Sequence, residues 1–170
     1  MKPIENKCML ITYANSMGKN LKELEQVLDK HFSRELGGVH ILPFFPSSGD
    51  RGFAVINYDI VDPAFGTWED IRRLSEKYFM AADFMLNHVS IRSNEFQDYL
   101  KNGEASPYRD MFIHWEEFWP EGEPTADDLA VLYSRKPQGP CKTYTLANGE
   151  QVRLWNTFFE EQVDVDPHAK

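Results

Sequence analysis

An α/β fold organised on a parallel sheet is what this sequence predicts, and three observations predict it. Three short apolar runs rich in β-formers, Cys8–Ala14, Val39–Pro43 and Met80–Leu86, read as buried strands. Two segments with the spacing of amphipathic helices separate them. The resulting order, strand, helix, strand, helix, strand, is that of a parallel sheet, for which right-handed crossovers are near-obligatory.

The elements follow in order. Asn20 is an N-cap with Glu23 at the third helical position, a capping-box variant. Leu21, Leu24, Val27, Leu28 and Phe32 line one helix face, and Gly37–Gly38 mark its expected end. After the second strand, residues 44–66 carry Pro, Ser and Gly without a period and read as a long loop. Thr67 caps the second helix, with Asp70 at its third position and Trp68, Ile71, Leu74 and Tyr78 on its apolar face. Beyond Ser90 the pattern changes. A short helix is expected at Ser93–Asn102, with Phe96, Tyr99 and Leu100 on one side and Gly103 as its stop. A stretch rich in Trp and Pro follows, then two strands, Lys142–Leu146 and Gln151–Trp155, around an Asn148–Gly149 turn. This reads as an irregular excursion inserted after the third strand. Three parallel strands and two helices leave the sheet incomplete, and a (β/α)8 barrel needs roughly 250 residues. The 170-residue chain is therefore expected to be an N-terminal portion of a larger enzyme.

Charge narrows the partners. Eighteen Lys and Arg against 27 Asp and Glu give a net charge of −9, which argues against nucleic acid and against an anionic membrane surface. With 42% hydrophobic residues the chain can build a packed core. No apolar run approaches the roughly 18 residues that span a bilayer. The first residues lack a signal-peptide pattern, so the expected compartment is the cytoplasm. Cys8 and Cys141 have no C-x-x-C spacing and read as reduced, buried thiols. His31, His40 and His114 show no metal-ligand spacing, and no nucleotide-binding glycine motif or G-x-S-x-G elbow occurs. Glu116–Glu117 and Glu121–Gly122–Glu123 read as a solvated acidic face.

Three places carry candidate chemistry. Loops at the carboxyl ends of parallel strands build ligand sites, and the loop after the second strand holds Ser47-Ser-Gly-Asp50-Arg-Gly-Phe53. Asp50 suits paired sugar hydroxyls and Phe53 suits stacking; the same residues also fit a plain turn with an exposed Asp–Arg pair. The third strand contains Asp83, a costly residue in an apolar strand unless paired. It runs into Asn87 and His88, where the imidazole is either a ligand donor or a core histidine satisfied by backbone. Arg135–Lys136 beside Tyr133 is a basic site in an acidic chain, or simply a surface pair.

The stretches GGVHILPFFPSSGDRGFAVINYD, GTWEDI, DFMLNHVS and WNTFFEEQVDVD together resemble the sucrose phosphorylases of the α-amylase superfamily, glycoside hydrolase family 13. The resemblance runs from Lys7 to Asp166. It implies the first three strands of a (β/α)8 TIM barrel in residues 1–103 and a small inserted domain with an acceptor loop in residues 104–166, the chain stopping before strand four. It implies that Asp50 holds hydroxyls of a glucosyl ring in the deepest subsite, that Phe53 stacks on that ring, and that His88 hydrogen-bonds its primary hydroxyl, with Asp83 and Asn87 in support. Tyr133, Arg135 and Lys136 match an acceptor loop that helps hold phosphate or fructose, and Phe158 and Gln162 match positions near the acceptor mouth.

The family's nucleophilic Asp, acid/base Glu and stabilising Asp would follow strands four, five and seven, so no acid of this chain is assigned those roles. The implied reaction converts sucrose and phosphate to α-D-glucose 1-phosphate and fructose through a covalent glucosyl-enzyme. Its expected partners are sucrose or a related α-glucoside, inorganic phosphate as co-substrate, and the remainder of the barrel, with no metal or other cofactor. A phosphorylase of sucrose 6-phosphate or glucosylglycerol, or a hydrolase, is the alternative within the superfamily. A stand-alone, non-catalytic sugar-binding α/β module is the alternative of another class.

Overall fold

Residues 2–133 and 136–169 are described by the structure, a computed structural model. The chain divides into two compact units, one formed by Met1–Ser47 with Arg51–Phe84 and the other by Ser48–Asp50 with Met85–Lys170.

The first unit runs β1 (Cys8–Thr12), α1 (Leu21–His31), β2 (Leu36–Ile41), α2 (Trp68–Lys77) and β3 (Phe79–Ala82). The strands form one sheet in the order β1-β2-β3, and both pairings are parallel. Asn20 caps α1, its Oδ1 accepting from Glu23 N at 3.0 Å, while Glu23 Oε2 reaches back to Lys19 N at 2.8 Å. At α2, Asp70 Oδ2 accepts from Thr67 N and from Thr67 Oγ1, each at 2.8 Å. The two helices are tied by a carboxylate: buried Glu25 accepts from Arg73 Nε at 3.2 Å and Lys77 Nζ at 2.8 Å.

Several expectations need correction. Helix α1 ends at His31, because the strand claims Gly37 and Gly38. A Cβ on Gly38 would lie 2.7 Å from Met9 Cε and 2.9 Å from Phe79 O, so glycine there admits the neighbouring strands rather than stopping a helix. Only β2 is a buried strand. Its two neighbours are edges, and Met9 and Ile11 of β1 are 43% and 61% exposed. The third strand ends at Ala82, four residues early, where Asp83 turns aside to accept from His40 Nε2 at 2.9 Å. Nor are the thiols buried: both cysteines are free, with Cys8 exposed and Cys141 half-buried.

The second unit contains β4 (His88–Ser90), α3 (Asn94–Asn102), α4 (Trp115–Phe118), α5 (Ala126–Val131), β5 (Cys141–Thr145), β6 (Gln151–Trp155) and β7 (Gln162–Asp164). β5 and β6 form the expected antiparallel hairpin, and β4 pairs antiparallel with β7. Ser93 caps α3, and Gly103 stops it at φ +55°, a left-handed value that glycine adopts readily. Phe96 and Tyr99 of α3 pack with Val89, Phe112, Leu146, Leu154 and Val163 in one apolar core. The acidic run is exposed but paired: Arg153 binds Glu116 and Glu123, and Arg109 binds Glu117. Among the described residues, no helix is long and apolar enough to cross a membrane.

Candidate functional site

The ribbon β4–β7 builds the site from a simple alternation. Its register sets His88 opposite Asp164, Val89 opposite Val163 and Ser90 opposite Gln162. Side chains on paired strands alternate in common, so one face collects four polar groups and the other collects the two valines. The valines enter the apolar core. His88, Ser90, Gln162 and Asp164 are all buried.

Residues Ser48–Asp50 lie along this polar face. Ser48 Oγ and Ser90 Oγ are 2.6 Å apart, and Gln162 Nε2 donates to Asp50 Oδ2 at 3.0 Å. Between them, a Cβ on Gly49 would collide with the Glu161 side chain. Asp50 and Arg51 both adopt left-handed backbone, at φ 51° and 50°, which costs about 1–2 kcal/mol for each L-residue. Such strain persists where the surroundings over-determine it, and it clusters at ligand sites.

The remaining contacts set orientation and charge. Phe158 stacks near His88, with ring centroids 4.4 Å apart. Asp164 accepts from Thr157 N at 3.1 Å and from Thr157 Oγ1 at 2.6 Å. Burial raises the Asp164 carboxyl above the usual range, while the Thr157 bonds, His88 and Lys136 pull the other way. Asn156, fully buried, accepts from Lys136 Nζ and donates to Phe159 O at 2.9 Å and to Gln162 O. Burial holds the Lys136 ammonium below its ordinary value, and Lys142 adds to that effect. Lys136, Cys141, Lys142 and Asn156 are among the residues lining a cavity of about 250 Å³.

The structure thus brings together Asp50, His88, Phe158, Gln162 and, through Asn156, Lys136. Phe53 and Asp83 belong to the first unit, where Asp83 pairs with His40. Asn87 is exposed and offers its carbonyl to Val165 N at 3.0 Å. Tyr133 is 83% exposed, and Arg135 lies outside the described residues. Sequence reasoning missed Ser48, Ser90, Asn156, Thr157 and Asp164. For Asp164 the sequence offered only the short alternation Gln162-Val-Asp164-Val, too brief to mark a strand by itself. Among the described residues, no cluster of three or more His, Cys, Asp or Glu is placed to hold a metal ion.

Comparison with known proteins shows the family. Residues 12–162 match the family model of the alpha amylase catalytic domain. Over 164 residues the chain is 52% identical to a sucrose phosphorylase of Streptococcus mutans, covering 96% of this chain and 34% of that protein. It is 48% identical to a sucrose 6(F)-phosphate phosphorylase of Thermoanaerobacterium thermosaccharolyticum, covering 98% of this chain and 35% of the relative. A crystal structure of sucrose 6F-phosphate phosphorylase from Thermoanaerobacter thermosaccharolyticum superposes with a TM-score of 0.91 at 47% identity, covering 96% of this chain and 34% of that one. The chain spans about a third of the length of the relatives it matches.

Proposed function

Because the chain belongs to the alpha-amylase catalytic-domain family, we propose that it forms the glucose-holding part of a retaining phosphorylase that converts sucrose and phosphate to α-D-glucose 1-phosphate and fructose. The observation that carries this reading is the 52% identity to a sucrose phosphorylase across 96% of the chain. The three parallel strands and their crossover helices are part of a (β/α)8 barrel.

In this reading Asp50 accepts hydrogen bonds from paired hydroxyls of the glucosyl ring. A carboxylate does this well, because charge-assisted bonds are the stronger class. Gln162 donates to one of its two oxygens and so fixes the plane in which the other is offered. His88 donates to the ring's primary hydroxyl, braced by Phe158. Retaining transfer needs two further carboxyl groups about 5–5.5 Å apart, which we assign to the part of the relatives that this chain does not span. Phosphate must reach an acidic protein, and Lys136 with its neighbouring cavity supplies local positive charge for that purpose. The likeness to the sucrose 6(F)-phosphate enzyme, 48% in sequence, favours one second reading, in which the leaving group is fructose 6-phosphate.

A chimera tests both readings. This chain replaces the matching third of the Streptococcus mutans relative, and glucose 1-phosphate is measured with sucrose or sucrose 6-phosphate as donor. Product from sucrose supports the first reading, and product from the phosphorylated donor alone supports the second. A folded chimera that forms none from either overturns both.

A further inference from the structure

We propose that Asn156 is a positioning residue that presents Gln162 to Asp50; the proposal rests on the reading above that Asp50 holds the glucosyl ring. Asn156 follows β6 and is wholly buried. Its Nδ2 donates to two carbonyl oxygens, Phe159 O at 2.9 Å and Gln162 O. These carbonyls belong to the two ends of one tight turn, which Gln162 N closes by donating to Phe159 O at 3.0 Å. Inside the turn, Phe159 N donates to Gln162 Oε1 at 2.9 Å.

That last bond decides which way the Gln162 amide faces. With Oε1 engaged by a backbone donor, Nε2 is the atom left to meet Asp50, which it does at 3.0 Å. The reverse orientation would set an NH2 group against the Phe159 N–H and a carbonyl against the Asp50 carboxylate, two repulsive contacts in a buried site. Asn156 holds the turn whose geometry enforces the choice. Its own amide is equally determined, because the two carbonyl oxygens must be met by Nδ2, which leaves Oδ1 to accept from Lys136 Nζ. An amide is the group this place requires. A carboxylate would keep the lysine contact but turn an oxygen on two carbonyl oxygens.

Asn156→Asp therefore separates the two contacts, and Lys136→Met is its complement. Hydrogen exchange of the Gln162 side-chain amide, followed by NMR on the chimera, is the direct readout. Asn156→Asp should speed that exchange at least tenfold while the β5–β6 amides stay within threefold of wild type, and Lys136→Met should leave it within threefold. If Asn156→Asp does not fold, Asn156→Ser, whose single hydroxyl reaches fewer partners, is measured against the same expectation. Unchanged Gln162 exchange, or a uniform rise across the unit, overturns the proposal. In the chimera, Asn156→Asp and Gln162→Ala should lower kcat/KM for sucrose by similar factors, and the double variant should lose no more than either. Losses that multiply would overturn the proposal as well. A wild-type chimera without activity would count against the proposed function, and the exchange measurement would still decide the role of Asn156.

Discussion

His88 and Asp164 face each other across the β4–β7 ribbon, both buried, and the Asp164 carboxylate accepts from Thr157 N and from Thr157 Oγ1. Thr157, in the loop after β6, anchors the acid, and His88 opposes part of the effect of its burial. That arrangement has a pH signature.

Burial is the largest influence on Asp164 and raises its carboxyl, so the fold favours the neutral acid. A raised carboxyl contributes stability that is fully present below the unfolded value of about 3.9 and is lost as pH rises through the folded value. Asp164→Asn removes that dependence. The melting-temperature advantage of wild type over Asp164→Asn should shrink as pH goes from about 4 to about 7. An advantage that grows over this range would contradict the assignment.

His114 has the opposite sense. Burial, then the nearby Arg109 guanidinium, depresses its imidazole. A depressed value means stability present above the unfolded value of about 6.5 and lost as pH falls toward the folded one. Thermal melts should lose several degrees between about pH 7 and pH 5, and His114→Gln should flatten that loss. A profile that is the same in wild type and variant would show that another group titrates there.

Within the active chimera, Asp50→Ala and His88→Ala should each reduce kcat by on the order of 10²-fold or more, because bonds to a ring developing charge strengthen at the transition state. Steady-state kinetics with sucrose and phosphate measure this. Changes within about threefold for both would remove these residues from the site.

Neighbouring residues on β6 should behave very differently. Leu154 is wholly buried in the core, and Leu154→Ala should cost about 2–5 kcal/mol. Arg153 bridges two exposed glutamates, an arrangement worth at most about 1 kcal/mol per pair. Urea titrations of both variants at one pH compare them, and a larger loss for Arg153→Ala would reverse the ranking.

Gly38→Ala tests the close approach inside the parallel sheet. The added methyl meets Met9 Cε, which can move, and Phe79 O, which is backbone and cannot do so cheaply. Overpacking of this kind costs about 1–3 kcal/mol, readable in the same titration.

The parallel sheet and its crossover helices were legible because their signals are local. Asn20, Thr67 and Asp70 announce helix starts, and long apolar faces announce helix bodies. The ribbon that carries the site was not legible. β4 and β7 have three residues each, too few for a period, and they pair across more than seventy intervening residues. Gly37–Gly38 misled for a related reason: glycine as a helix stop and glycine as a gap between strands look alike until the neighbouring strands are known. Asp50 and His88 stood out by residue type and by their places in the chain. Asn156 did not, since an asparagine after a strand reads as a turn.

The two-faced ribbon has one further consequence. Because its faces alternate residue by residue, a slip of β7 by one position against β4 would carry Val163 to the polar side and turn Gln162 and Asp164 toward the apolar core. On the proposed reading, a misaligned chain would therefore lose its glucosyl site. On that same reading, a glucosyl ligand would stabilise only correctly aligned molecules, by RT ln(1 + [L]/Kd), and would leave the misaligned ones exposed to proteolysis.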